Sequence, residues 1–295
     1  MSTPVTSDNL LTVKDLVVEF PVPGGTFRAV DQVSFDVPRG GTLGIVGESG
    51  CGKSTIARTL VRLNKPSSGS IMFDGQDIGA MSEKQLRPFR HRIQMVFQDP
   101  YGSLDPHLNA QQIVAEPLKV RGGISGKDIA AKSALLIERV GLPKTALTRK
   151  PNEFSGGQRQ RIGIARALAS EPDLLVCDEA TSALDVSVQA QVLELLADLQ
   201  RETGLTYIFI SHNLGVVRAI SQNTVVMRSG RIVESGSTDD VLSSPQQEYT
   251  QRLRRSALEP TTMRGRKPRA LVRAIALARA AENDQLAALD KAAAS

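Results

Sequence analysis

The sequence predicts an α/β fold with a buried parallel sheet at its core, preceded by a strand-rich first third and a helical middle. Three observations carry this. Leu174-Leu175-Val176-Cys177 and Tyr207-Ile208-Phe209-Ile210 are apolar throughout and of strand length. Between them Val188, Val192, Leu195 and Leu199 recur at three- or four-residue intervals, the period of a helix with one apolar face. Two strands without polar alternation, joined by such a helix, describe a parallel pair covered on both faces.

From the N-terminus, β-type runs fall at Leu11–Phe20, Val33–Val37, Leu43–Val46, Ser70–Phe73 and Ile93–Phe97, separated by turn signals such as Pro23-Gly24-Gly25 and Arg39-Gly40-Gly41. From Leu108 to Ala169 the pattern turns helical, with Ile129, Leu135, Leu136 and Val140 in register. Beyond Tyr249 the chain becomes Arg- and Ala-rich. We expect one domain over residues 8–255, a helical subdomain at about 100–170, and a basic tail over 256–295.

With 295 residues, 41% hydrophobic and 23% charged, the composition excludes a disordered chain and a disulfide-stapled miniature fold. The formal charge of +5 is uneven: residues 1–250 carry a net −1, and residues 251–295 a net +6. A near-neutral body argues against a nucleic-acid partner. The tail cations Arg264, Arg266, Lys267 and Arg269 are either solvated or able to meet anionic lipid headgroups. The longest uncharged stretch, Thr203–Val217, is shorter than the roughly 18 residues that span a bilayer and contains Ser211, His212 and Asn213. The first residues lack the basic start and apolar core of a signal peptide, and Cys51 and Cys177 are the only cysteines. A reducing cytoplasm is the expected setting.

Gly47-Glu48-Ser49-Gly50-Cys51-Gly52-Lys53-Ser54-Thr55 follows an apolar strand and precedes the helical run Ile56–Leu63, the context of a phosphate-binding loop. Its glycines let backbone N–H groups converge on phosphate oxygens, and the helix N-terminus adds partial positive charge. Lys53 is placed to reach the β- and γ-phosphates, and Ser54 to ligate Mg²⁺. Asp178 and Glu179 end the strand Leu174–Cys177. A carboxylate there, Asp178, suits Mg²⁺, and Glu179 is a candidate general base for the attacking water. Phe154-Ser155-Gly156-Gly157-Gln158-Arg159-Gln160-Arg161 opens a helix with bare N–H groups suited to an anion.

That last run resembles the signature of an ABC-type ATPase, and the other elements of the family follow in order. Gln98 in Met95-Val96-Phe97-Gln98-Asp99-Pro100 resembles the Q-loop, Ser182-Ala183-Leu184-Asp185 the D-loop, and His212 the switch histidine. The resemblance implies a RecA-like parallel-sheet core, an N-terminal antiparallel β subdomain and a helical signature subdomain. It also implies ATP and Mg²⁺ as cofactors. ATP is then held by residues 47–55, with Ser54, Gln98 and Asp178 at the metal and Glu179, Gln98 and His212 in catalysis. Ser155, Gly156, Gly157 and Gln158, with Asp185, complete the site of a facing subunit. The adenine platform of the family is an aromatic residue before the loop: Phe20, which ends a strand, or Phe27, which falls in what reads as a Pro/Gly-containing insertion. His91 and His107 have no such placement, and Cys51 and Cys177 read as packing residues.

Phe97-Gln98-Asp99-Pro100-Tyr101-Gly102-Ser103-Leu104-Asp105-Pro106 and Glu179-Ala180-Thr181-Ser182-Ala183-Leu184-Asp185-Val186-Ser187-Val188-Gln189 are similar to the ATPase subunits of dipeptide, oligopeptide and nickel importers. Pro245-Gln246-Gln247-Glu248-Tyr249-Thr250 is similar to their Pro-x-His-Pro-Tyr-Thr element, with Gln247 and Glu248 replacing the His-Pro pair. No Cys follows Cys177, so no iron–sulfur cluster is expected. The implied partners are a second, distinct ATPase subunit, two transmembrane permeases and, through them, an extracytoplasmic binding protein. The implied place is peripheral, at the cytoplasmic face of the inner membrane. The alternatives are an exporter ATPase or a non-transport ABC ATPase. DNA-repair versions need a long coiled coil between phosphate loop and signature, whereas Lys53 and Ser155 are 102 residues apart.

Overall fold

Pro23 and Gly24 turn a long hairpin between β1 (Asn9–Val22) and β2 (Gly25–Pro38), with Val22 paired to Gly25 and Phe20 to Phe27. The turn is two residues long, so the expected insertion does not exist and Phe27 is a strand residue. The computed structural model describes residues 8–258 apart from 100–101 and 183. Pro100, Tyr101 and Ala183 of the motifs, and the tail cations between 264 and 269, lie outside the described residues. The first compact unit runs to Arg254.

Strands β4 (Ser68–Phe73) and β5 (Gln76–Asp77) complete an antiparallel sheet of order β2-β1-β4-β5. The second sheet has six strands. Four of them are β3 (Thr42–Val46), β6 (Ile93–Val96), β7 (Leu174–Asp178) and β8 (Thr206–Ile210). The other two are β9 (Asn223–Arg228) and β10 (Arg231–Ser237), and the order is β10-β9-β3-β8-β7-β6. All of its pairs are parallel except β10 with β9.

The buried parallel strands separate their side chains by the period of two. Leu174, Val176, Ile208 and Ile210 pack with Leu11, Val30 and Phe73 of the antiparallel sheet. Leu175, Cys177, Tyr207 and Phe209 pack on the opposite face with the helices. Burial pushes the Cys177 thiol and the Tyr207 hydroxyl upward, so both stay neutral, and the Tyr207 hydroxyl donates to the Leu196 carbonyl at 3.0 Å.

The helices start where the sequence supplies caps. Asn109 caps α3 (Ala110–Arg121), Ser125 caps α4 (Gly126–Arg139) and Ser155 caps α5 (Gly156–Leu168), each side chain accepting the N–H of the third residue of its helix. Ile113, Leu118, Ile137 and Ile162 bind these three helices into one apolar cluster with the sheet. Helices α1 (Lys53–Leu60), α2 (Glu83–Arg90), α6 (Val186–Thr203), α7 (Leu214–Ile220), α8 (Thr238–Ser243) and α9 (Glu248–Leu258) complete the described part.

Arg92, between α2 and β6, ties the two sheets together. It donates to Asp74 of the β4–β5 turn at 2.6 Å and to Asp173 before β7 at 2.5 Å, and its guanidinium lies 5.0 Å from the Phe73 ring centre. The Arg92 bond is the largest of the effects that hold the Asp74 carboxyl below its ordinary value of 3.8. A carboxyl depressed in the folded state contributes stability above its unfolded pKa and loses it as pH falls. Arg92→Ala is expected to cost about 1 kcal/mol at pH 7, with only part recovered in Arg92→Lys, which lacks the planar fork. In urea titrations the deficit should shrink as pH falls below 3.8, and an unchanged deficit would remove the ion pair as its cause.

Candidate functional site

The carboxyl ends of β3, β6, β7 and β8 open on one edge of the sheet, which is where ligands bind in open parallel sheets. β3 is buried along its whole length and delivers the chain into the 47–55 loop. Glu48, Ser49 and Gly50 form the exposed crest of that loop, and the chain then turns inward to α1. The Lys53 ammonium, 5% exposed, donates to the carbonyls of Gly47 at 2.8 Å and Glu48 at 2.7 Å. Gly47 is required by close approach, since a Cβ there would lie 2.3 Å from the Met227 carbonyl oxygen of β9. Cys51 is buried with its sulfur 3.7 Å from the Lys53 nitrogen, and desolvation raises its thiol pKa, so it fills the loop interior as a neutral thiol. Thr55 lies in the first turn of α1, its carbonyl accepting from the Thr59 hydroxyl at 2.7 Å.

Asp178, 3% exposed at the end of β7, accepts a hydrogen bond from the Ser54 hydroxyl at 2.9 Å. Burial is the main cause that pushes its carboxyl up, with the Ser54 bond opposing it. A hydroxyl and a carboxylate side by side are an oxygen donor set that fits Mg²⁺, and such a cation would favour the ionised carboxylate that burial disfavours. Gln98, beyond β6, reaches Glu179 rather than Asp178.

Glu179 has a left-handed backbone, φ 47°, with its N–H donating to the Ile210 carbonyl of β8 at 3.0 Å. Such a conformation is uncommon for a residue with a Cβ and concentrates at functional sites. It leaves the carboxylate between two side chains from neighbouring strand ends. Gln98 Nε2 donates to Oε2 at 2.8 Å, and His212 Nδ1 lies 3.3 Å from Oε1. The structure therefore brings Ser54 to Asp178, and Gln98 and His212 to Glu179, the next residue in the chain.

The signature residues are engaged with one another instead. The Ser155 hydroxyl accepts from Gln158 N–H at 3.4 Å, and Gln158 Oε1 accepts from Ser155 N–H at 3.1 Å. Gly157 lets α5 approach α6, because a Cβ would meet Val188 Cγ1 at 2.3 Å. Asp185 caps α6 through the N–H groups of Ser187 at 3.1 Å and Val188 at 3.0 Å. Phe20 and Phe27 face each other across the hairpin, 36% and 55% exposed, so both remain candidates to stack on a base. Tyr249 of α9 also reaches the loop, with its hydroxyl accepting from Glu48 N–H at 3.1 Å. No sequence pattern marks that contact, which joins residues 201 positions apart.

Comparison with known proteins agrees with this geometry. The family model described as ABC transporter matches residues 30–182. A probable peptide ABC transporter ATP-binding protein, y4tS of Sinorhizobium fredii, is 49% identical over 267 residues, covering 88% of this chain and 76% of the relative. The glutathione import ATP-binding protein GsiA of Escherichia coli is 49% identical over 258 residues, covering 85% of this chain; the match spans 41% of that relative's length. Among solved structures, the ATP-binding cassette MJ0796, in a dimeric post-hydrolysis state bound to ADP and Pi, superposes with a TM-score of 0.72. It is 28% identical, with 77% of this chain and 98% of that one covered. This chain belongs to the ABC transporter family, as one of its ATP-binding, ATP-hydrolysing subunits.

Proposed function

We propose that this ATPase powers import of peptides or a related small solute, with Glu179 as the general base that activates the attacking water. The observation that carries the assignment is the Glu179 carboxylate held between Gln98 and His212 beside the Lys53 loop. Lys53 binds the phosphates, and the crest residues Glu48, Ser49 and Gly50 with Cys51, Gly52 and Thr55 wrap them. Ser54 and Asp178, with Gln98 nearby, are the oxygen donors for Mg²⁺. When bound, Mg²⁺ neutralises phosphate charge. Gln98 orients one oxygen of Glu179, and His212 sits at the other, where the γ-phosphate of ATP is expected. Phe20 or Phe27 stacks on adenine.

Ser155–Gln158 and Asp185 serve the site of a facing ATPase subunit, which we propose is a distinct relative. A groove of about 740 Å³ beside Gln98, lined by Arg58, Leu63, Phe97 and Arg166 among others, is where we place the contact with one of the two permease subunits, the other meeting the facing ATPase. Gln98 then couples permease contact to Glu179. We place the chain peripherally, at the cytoplasmic face of the membrane; no helix of the described residues is long and apolar enough to cross one. The extracytoplasmic binding protein acts through the permeases. The peptide class rests on the similarity to y4tS and to GsiA.

Two substitutions test the reading. Glu179→Gln should retain ATP affinity and lose turnover by at least about 100-fold, the scale of a positioned general base; near-normal hydrolysis would reject the assignment. Ser155→Arg should leave nucleotide affinity of the isolated chain unchanged, since Ser155 serves the facing site, while abolishing hydrolysis in the assembled transporter. Lost affinity in the isolated chain would show instead that Ser155 binds nucleotide within its own chain.

A further inference from the structure

The bond between Tyr249 and Glu48 acts on the same peptide unit that Lys53 holds. The Glu48 N–H donates to the Tyr249 hydroxyl at 3.1 Å, and the carbonyl of that peptide, which is Gly47's, accepts from Lys53 Nζ at 2.8 Å. A trans peptide is planar, with N–H and C=O pointing in opposite directions. The two bonds therefore fix its orientation, with the carbonyl toward the lysine and the N–H toward α9. The unit needs such a hold because Gly47 offers no side chain to resist rotation of this peptide.

Tyr249 is itself firmly placed. It is 9% exposed and packs in an apolar cluster with Val46, Val226 and Leu242, with Arg228 over its ring at 5.1 Å from the centre. Burial pushes its hydroxyl pKa up, so it remains a neutral acceptor. The back of the loop is braced from the same side, where Gly230 N–H donates to the Cys51 carbonyl at 3.0 Å.

We propose that Tyr249 is a positioning residue for nucleotide binding: its hydroxyl locks the Gly47–Glu48 peptide and thereby sets the place of the Lys53 ammonium. This rests on the ATPase reading and extends it to a helix that carries neither the phosphate loop nor the Q-loop, signature, D-loop or switch histidine. Helix α9 thereby becomes part of the nucleotide site, although its tyrosine touches backbone rather than phosphate.

The test is Tyr249→Phe in the full chain, which removes the hydroxyl and keeps the ring against Arg228. The dissociation constant for ADP with Mg²⁺ should rise about five-fold, as loss of one hydrogen bond predicts. KM for ATP should rise in parallel while kcat stays within about two-fold, the pattern of lost uniform binding. Amide hydrogen exchange at Glu48 should accelerate by about ten-fold, with the amides of β3 unchanged. Unchanged ADP affinity, or a loss that only tracks a fall in thermal midpoint, would overturn the proposal. So would unchanged exchange at Glu48. Failure of the wild-type chain to bind ADP would instead reject the ATPase reading, and the exchange measurement would still decide whether Tyr249 holds the peptide.

Discussion

A lysine ammonium buried at the end of β3, and held by carbonyls rather than by a carboxylate, is the constraint on which the site depends. Taking a charge out of water is costly unless donors and acceptors replace the lost hydration. Here the acceptors are the carbonyls of Gly47 and Glu48, so the loop must curl back over its own lysine. That curl requires Gly47 where a Cβ would strike Met227, and a small buried side chain at Cys51. Because carbonyls solvate the ammonium without cancelling its charge, the field at the crest stays positive and suited to phosphate. A carboxylate partner would neutralise it.

The sheet supplies the other half of the arrangement. One of its faces packs on the antiparallel sheet with α1 and α2 and the other on the remaining helices, so the carboxylates collect where the parallel strands end. Parallel strands place their carboxyl ends together, and Asp178, Glu179, Gln98 and His212 follow from that alignment. Gln98 has a second attachment, because the chain beyond it leads into the helical part. On the proposed reading, its bond to Glu179 is the point at which displacement of those helices reaches the carboxylate.

Sequence made much of this legible because the relevant signals are local. Continuous apolar runs marked β7 and β8, and the Gly-rich run between β3 and α1 marked the loop with the residue that it buries. The Ser155-Gly156-Gly157-Gln158 run marked the start of α5, where the structure adds that Ser155 and Gln158 form a capping box. What sequence could not show depends on contacts across the fold. The left-handed backbone of Glu179 has no compositional sign, since glycine or asparagine would ordinarily mark it. Phe27 was misplaced because Pro23-Gly24-Gly25 reads equally as a loop or as a tight hairpin, and only the pairing of Val22 with Gly25 decides between them. Tyr249 belongs in the sequence to a family-like element, and only the packed structure carries its hydroxyl to the Glu48 N–H.

The signature region shows how one chain can prepare groups for use elsewhere. Ser155 satisfies the Gln158 N–H at the start of α5, and Asp185 does the same at the start of α6, so neither needs a ligand to be ordered. Gly157 makes the two helix starts interdependent, because the space that its missing Cβ leaves is filled by Val188, whose N–H Asp185 caps. Displacing α6 therefore displaces the turn that presents Ser155. On the proposed head-to-tail arrangement, the chain's own strand ends and its signature serve different nucleotides. The shared α5–α6 contact, which also includes the Arg161–Gln191 hydrogen bond at 3.1 Å, then gives occupancy of one site a mechanical route to the other.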